Sequence, residues 1–155
     1  MAIEYTETDA DSVDLTNNLW RKLIEHHASR SRYFSTQIAK RTPEQRNKEL
    51  LTRFEKGNIR IDLARDTQTR ELVGYCISTI SAGGEGEVQS IFVEEDYRNS
   101  GIGGAMMKRA LEWMDERPVA RKVIAIAFGN EEVFPFYSQY NFLPRATILA
   151  QAEDR

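Results

Sequence analysis

The sequence is poor in the residues from which many functional sites are built. Cys76 is its one cysteine, so the chain can form neither an internal disulfide nor a multi-cysteine metal cluster. The sequence has two histidines, His26 and His27, which are adjacent. With a net charge of −3 and a pI of about 5.5, no global field favours nucleic acid or an anionic membrane. We therefore expect neither a metal nor a nucleic acid as a partner.

Long hydrophobic runs are also absent. Every apolar run is shorter than ten residues, which is too short to cross a membrane. The first four residues lack the basic start of a secretory signal, so we expect a cytoplasmic protein. A length of 155 residues predicts a single domain over residues 1–155 with one core.

Apolar periodicity predicts strands and helices that follow one another in mixed order. Six segments have the pattern of strands, at residues 3–7, 59–65, 71–81, 87–93, 122–128 and 143–150. Helices are predicted from Val13 to His27, from Pro43 to Gly57, from Gly103 to Met114 and from Glu131 to Tyr140. Thr42 and Gln45 form a capping box at the start of the second helix.

The strongest functional signal is a glycine-rich loop between a strand and the long helix. The strand ends at Phe92 and Val93, and the loop that follows has the sequence Arg98-Asn99-Ser100-Gly101-Ile102-Gly103-Gly104. The first N–H groups of a helix have no partner within it, and the helix dipole places partial positive charge there. Glycines allow the backbone to approach a ligand closely, and an arginine adds a fixed charge. The segment therefore predicts a site for a phosphate group.

Two common kinds of phosphate loop do not fit these residues. A P-loop requires Gly-Lys followed by Ser or Thr, whereas this loop ends in Gly103-Gly104-Ala105. A dinucleotide fingerprint requires a small residue where Met106 stands. Such a fingerprint also lies near the start of its domain, whereas about ninety residues precede this loop. Neither a P-loop nor a dinucleotide site is therefore expected.

The loop resembles motif A of the GCN5-related N-acetyltransferase (GNAT) superfamily. In that motif a Gln or Arg is followed by two residues, Gly, one residue, and Gly or Ala. A second, independent match lies further along the chain, in residues at the spacing of a later family motif: Asn130, Val133, Phe136, Tyr137 and Phe142. One position departs from the family, because Asn141 stands where members usually have Gly; Asn also tolerates the left-handed conformation of such a helix end.

The resemblance implies a fold and a cosubstrate. The fold is α/β, with a mixed, mostly antiparallel sheet of six to seven strands and helices on both faces. The cosubstrate is acetyl-coenzyme A, and no metal is implied. The resemblance assigns its pyrophosphate to Arg98, Asn99, Ser100, Gly101, Ile102, Gly103 and Gly104, and its pantetheine arm to the backbone of Ile91, Phe92 and Val93.

The resemblance also suggests residues for the chemistry. Tyr137 matches the tyrosine thought to protonate the coenzyme thiolate, and Asn130 either binds the pantetheine arm or caps the helix after it. Glu87 matches the glutamate base of some members. An unbulged strand would point it to the same face as Ile91. His27, Glu85 and a chain of waters remain alternatives for the base.

The implied activity is transfer of an acetyl group from acetyl-coenzyme A to a primary amine, directly and within a ternary complex. The alternative is an acyl-coenzyme A sensor that binds without turnover, and a longer acyl donor also remains open. Glu25, Glu85 and Glu87 favour a cationic small-molecule or peptide amine as the acceptor. A homodimer through the sheet edge or the last strands is consistent with many relatives.

Overall fold

The structure is a computed structural model that describes residues 2–152. Its strands are β1 (Ile3–Thr8), β2 (Ile59–Asp66), β3 (Leu72–Ile80), β4 (Glu85–Val93) and β5 (Arg121–Ile124). Its α-helices are α1 (Asn17–Arg30), α2 (Ser35–Ala39), α3 (Pro43–Arg53), α4 (Ile102–Asp115) and α5 (Phe134–Ser138). Short 3-10 helices lie at Ala10–Thr16, Lys56–Asn58, Glu95–Tyr97 and Glu131–Val133.

The strands form one sheet in the order β1-β2-β3-β4-β5. The first three pairings are antiparallel and the β4–β5 pairing is parallel, which confirms a mixed and mostly antiparallel sheet. The expected count of six to seven strands is wrong, because the sheet of the described residues has five. β5 also ends at Ile124, four residues before the predicted end.

The predicted last strand is the largest error. Residues 143–150 have no regular secondary structure, and the side chains of Ile148 and Leu149 are 89% and 91% exposed. An apolar alternation fits a strand only if a neighbouring strand completes its hydrogen bonds, and no described strand pairs with this segment.

Helices cover both faces of the sheet, as predicted. On one face, Trp20 of α1 and Leu50 of α3 pack against Ile61 and Ile77. On the other face α4 packs through fully buried methionines, Met106 among them, against strand residues that point the opposite way. Because strand side chains alternate, β3 supplies residues to both cores.

A buried carboxylate fixes α4 on the sheet. Asp62 of β2 is fully buried, and its Oδ1 accepts from Nε of Arg109 on α4 at 2.9 Å and from Nη2 of Arg60 at 3.0 Å. A charge can be buried in this way only when it is paired and hydrogen-bonded. The start of α4, which carries the glycine-rich loop, is therefore held at a defined place beside β4.

Candidate active site

A cleft opens where β4 and β5 separate. Their pairing joins residues 85–88 to residues 121–124 and then stops. Beyond Val88, β4 continues to Val93 with β3 as its partner. A cavity of about 270 Å³ fills the gap, and it is lined by both strand ends, by α1 and by the segment around α5. The backbone of Ile91, Phe92 and Val93, expected to bind the pantetheine arm, lies along this cavity.

A second cavity continues the cleft toward the start of α4. It has a volume of about 320 Å³ and is lined by most of the glycine-rich loop. Six residues border both cavities: Ile91, Phe92, Val93, Arg98, Val133 and Tyr137. One continuous cleft thus runs from the predicted phosphate site to the gap between the strands, the extended shape that a nucleotide with a long arm requires.

The backbone of the loop opens the helix terminus to a ligand. Gly101 caps α4 with φ of +87°, and Asn99 has φ of +63°, so two left-handed residues turn the chain into the helix. No described residue accepts a hydrogen bond from the backbone N–H of Ile102, Gly103 or Gly104. These three donors lie at the positive end of the helix dipole, where an anion is stabilised.

Arg98 is fixed at the junction of the two cavities. Its Nε donates to the Val93 carbonyl oxygen at 2.9 Å, and its guanidinium lies 5.4 Å from the centre of the Phe92 ring. Ser100 contributes to the turn by donating from its hydroxyl to the Tyr97 carbonyl. The charge of Arg98 therefore stands beside the unpartnered amides of α4.

Glycine is required at the helix start by close packing. A Cβ at position 103 would lie 3.3 Å from Cζ of Phe136, and one at position 104 would lie 3.0 Å from the Tyr140 hydroxyl. Both distances are tighter than ordinary side-chain contacts. Larger residues would displace α5 or fill the cleft, so the sequence pattern and the packing agree.

Tyr137 lies deep in the cleft and borders both cavities. Its side chain is buried, and this loss of hydration raises the pKa of its hydroxyl, with a smaller contribution from Cys76. A phenol in this environment keeps its proton until a strong base forms beside it. The position is suitable for a proton donor.

Asn130 lines the cleft and holds the N-cap position of the 3-10 helix Glu131–Val133. Its side chain makes no capping hydrogen bond, so of the two roles considered for it the cap is wrong. Its Oδ1 lies 3.3 Å from Nε2 of His26. The carboxylate of Glu131 accepts from the backbone N–H of Gly129, the residue before Asn130, at 2.9 and 3.0 Å.

Glu87 does not point where an unbulged strand would place it. Ile77 pairs with Ser90 whereas Ser78 pairs with Val88, so Gln89 is an extra residue that shifts the alternation of β4. Glu87 and Ile91 therefore lie on opposite faces, and the same-face expectation is wrong.

The Glu87 carboxyl lies outside the cleft lining. It accepts from Nε2 of Gln89 at 3.2 Å and is not among the side chains that line either cavity. Burial raises the pKa of the Glu87 carboxyl; Arg53 lowers that pKa and Glu85 raises it further. Glu85 itself is paired with Arg121, and Glu25 is exposed on α1. The side chains of Glu25, Glu85 and Glu87 therefore do not converge on the cleft, contrary to the expectation.

The bulge brings to the site residues that the sequence pattern does not reveal. Ser90 lines the cavity between the strands. Three buried polar atoms have no hydrogen-bond partner among the described residues: Arg46 Nη1, Tyr75 Oη and Ser90 Oγ. The only sequence signal is the polar pair Gln89-Ser90, which interrupts the apolar pattern of the strand.

Two further kinds of site find no support in residues 2–152. No described helix is long and apolar enough to span a bilayer. Within the same residues, no three side chains of His, Cys, Asp or Glu come together as ligands for a metal ion.

The sequence matches the model of one known family, described as Acetyltransferase (GNAT) family, over residues 20–142. The chain belongs to this family. The resemblance carried by the loop and by the later motif is thereby confirmed. No curated protein matches the GNAT chain.

Solved structures share the fold of this GNAT chain over nearly its whole length. A GCN5-related N-acetyltransferase from Ralstonia eutropha JMP134 has a TM-score of 0.75 at 18% identity and covers 97% of this chain and 98% of its own. The ribosomal-protein-alanine N-acetyltransferase from Brucella melitensis biovar Abortus 2308 has a TM-score of 0.64 at 17% identity, with 97% and 98% covered. The aminoglycoside N-acetyltransferase AAC(6')-Iy, in complex with CoA, has a TM-score of 0.69 at 10% identity, with 99% and 96% covered. Identities this low show a common fold.

Proposed function

We propose that this single-domain GNAT protein transfers the acetyl group of acetyl-coenzyme A to a primary amine, directly and within a ternary complex. The observation that carries the proposal is the continuous cleft. It joins the unpartnered amides of α4 to the open edge of β4 and to Tyr137. Family membership makes an acetyltransferase the expected activity.

The coenzyme is assigned to the cleft by the donors along it. The N–H groups of residues 102–104 and the guanidinium of Arg98 bind the pyrophosphate. The pantetheine arm lies along Ile91, Phe92 and Val93, where β4 has no partner on its β5 side. One main-chain amide there donates to the thioester oxygen and stabilises the negative charge that develops on it. Asn130, which lines the same cavity, binds an amide of the arm.

The transfer needs no covalent intermediate on the protein. The nitrogen of the neutral amine attacks the thioester carbonyl, the C–N bond forms, and the C–S bond breaks. Tyr137 gives its hydroxyl proton to the departing thiolate, and its phenolate then takes up through water the proton that the acylated nitrogen loses to become a neutral amide. A thiolate in this dry cleft is a stronger base than in water, because burial disfavours its charge. A donor as weak as the buried Tyr137 is therefore able to protonate it.

The acceptor enters from the side of α1. His26, His27 and Glu132 line the cavity there. Glu132 is the one carboxylate among the described residues of that lining, and although it is paired with Arg30 at 3.2 Å it favours a cationic amine, either a small molecule or a peptide, over an anionic acceptor. The relative AAC(6')-Iy has been solved with a bisubstrate analogue built from coenzyme A and an acetylated neamine, which supports a small-molecule amine as one class to test.

A cytoplasmic homodimer is part of the same proposal. Leu143, Ile148 and Leu149 expose large apolar surfaces near the end of the chain, which favours contact with a second copy. Light scattering across a concentration series measures it: a mass twice that of the chain is expected, and a monomer at all concentrations contradicts the dimer.

The experiment that tests the activity combines calorimetry with a thiol-release assay. Acetyl-coenzyme A is first titrated into the protein, and coenzyme release is then followed over a panel of polyamines, amino sugars, and peptides with a free amino terminus. Binding with release for at least one amine is expected. Binding without release for every class would support the sensor instead, and absence of binding would contradict both functions.

A further inference from the structure

The cleft contains a titratable side chain that the proposed transfer has not used. His27 of α1 lines the cavity between the strands, together with Ser90, Ile91 and Tyr137. It is partly buried, whereas Glu87 lies outside the lining of both cavities. A group that takes a proton from the acceptor must reach the acceptor. On this geometric ground His27 is better placed than Glu87.

The two adjacent histidines differ in what they contact. Nε2 of His26 lies 3.3 Å from Oδ1 of Asn130 and 3.5 Å from Oε1 of Glu132, so the His26 ring is engaged at the mouth of the cleft. The His27 ring, 6.3 Å from it between centres, makes no side-chain hydrogen bond to any residue that the structure describes. Its nitrogens are therefore available to a bound molecule.

We propose that the His27 imidazole is the proton acceptor for the amine, a role that rests on the acetyl transfer proposed above. The bound ammonium gives one N–H proton to a ring nitrogen of neutral His27. The freed lone pair attacks the thioester carbonyl, and the resulting imidazolium releases its proton to solvent after the acetylated amine leaves. The thiolate receives a different proton, from Tyr137. The acylated nitrogen then loses its second proton through water to the Tyr137 phenolate, which restores the hydroxyl, so the transfers at His27 and at Tyr137 are separate.

The surroundings of His27 favour the neutral imidazole, which is the form that can accept a proton. Burial lowers the pKa of His27 from its usual value, and the neighbouring charge of His26 lowers it further. The other charged or titratable groups that line its cavity are Glu132, Arg98 and Tyr137. Burial and the charge of His26 both favour the neutral ring, so the ring can accept a proton.

The test is a pH profile of kcat/KM for wild type, His27→Gln and the matched variant His26→Gln, with the best acceptor amine from the thiol-release panel. In the wild type, activity should fall on acidification as His27 becomes protonated. His27→Gln should lower kcat about 100-fold near neutral pH and remove this acid limb. His26→Gln should keep the limb, whatever its effect on the rate. Added imidazole should partly restore His27→Ala, which a purely structural role would not allow.

A second readout needs no turnover. The chain has two histidines, so His26→Gln assigns the remaining ring resonance in NMR to His27. That resonance should titrate at a lower pH than an ordinary histidine and shift when the acceptor binds. A wild-type acid limb that persists in His27→Gln, or disappears only in Glu87→Gln, overturns the assignment. If the wild type releases coenzyme with none of the amines tested, the proposed function itself fails. That failure is visible before any variant is made.

Discussion

The carboxyl end and the middle of β4 contribute to the site in different ways. Beside its carboxyl end, the unpartnered main-chain donors of residues 102–104 form the proposed phosphate site, and one continuous stretch of sequence encodes them. Around its middle, side chains from α1 and α5 meet the strand at the Gln89 bulge. A site made of backbone can be read from local sequence, whereas one made of side chains from distant segments depends on the whole fold. Three variants test this difference, and a fourth, outside both regions, provides the contrast.

The largest effect is expected from Gly103→Phe. The new side chain would begin 3.3 Å from Phe136 and extend into the cavity at the start of α4. Coenzyme binding should fall below detection in calorimetry while the circular dichroism spectrum stays the same. Gly57→Phe is the matched control, because no atom lies within 4 Å of a Cβ at that position. Unchanged affinity in Gly103→Phe would contradict the phosphate site.

Tyr137→Phe should separate chemistry from binding. Loss of the hydroxyl removes the proposed proton donor, so kcat should fall about 100-fold, while the dissociation constant of the coenzyme changes by less than about threefold. Stopped-flow thiol release and calorimetry measure the two quantities. Tyr5→Phe, on the far strand β1, is the control. Equal rates in wild type and Tyr137→Phe would remove the acid role.

A smaller loss is expected from Arg98→Met, which keeps the length of the side chain and removes its charge. Charge-assisted hydrogen bonds to phosphate contribute about 1.5–3 kcal/mol, so coenzyme affinity should weaken about 10- to 100-fold, and the loss should shrink at high salt. Arg21→Met, at an exposed position on α1, should leave affinity unchanged. A salt-independent loss would show that Arg98 acts through packing on Phe92.

The smallest effect is expected from Asn141→Ala, which lies outside both regions of β4. Asn141 has φ of +66°, where alanine is strained and glycine is not. The alanine variant should lose about 1 kcal/mol of unfolding free energy in urea, and Asn141→Gly should be at least as stable as wild type. Coenzyme affinity should be the same in all three. An alanine variant as stable as wild type would contradict the left-handed turn.

Much of the fold could be predicted because the relevant signals are local. The alternation of apolar residues predicted β1 to β4, and the glycine-rich loop predicted the start of α4. Thr42 and Gln45 form the expected capping box: the Thr42 N–H donates to Gln45 Oε1 at 2.9 Å, and the Gln45 N–H donates to Thr42 Oγ1 at 3.2 Å. The left-handed conformation of Asn141 was also predictable, because the family resemblance places a glycine there and Asn tolerates the same conformation. Each of these signals depends on neighbours within a few residues.

The errors share a non-local cause. Residues 143–150 have an apolar pattern, but a strand needs a partner, and pattern alone does not identify one. The extra residue Gln89 changes which side chains of β4 share a face, and two-residue periodicity cannot locate such a bulge. For the same reason the sequence left the base open among Glu87, Glu85, His27 and a chain of waters.

The most direct test of the central claim is a titration of the isotope-labelled protein with coenzyme A, followed through its backbone amide resonances. If the start of α4 binds the pyrophosphate, the amides of Ile102, Gly103 and Gly104 should show the largest shifts, in the direction typical of stronger hydrogen bonds. If these three resonances stay in place at saturating coenzyme, or if no resonance moves at millimolar concentration, the phosphate site does not exist as described.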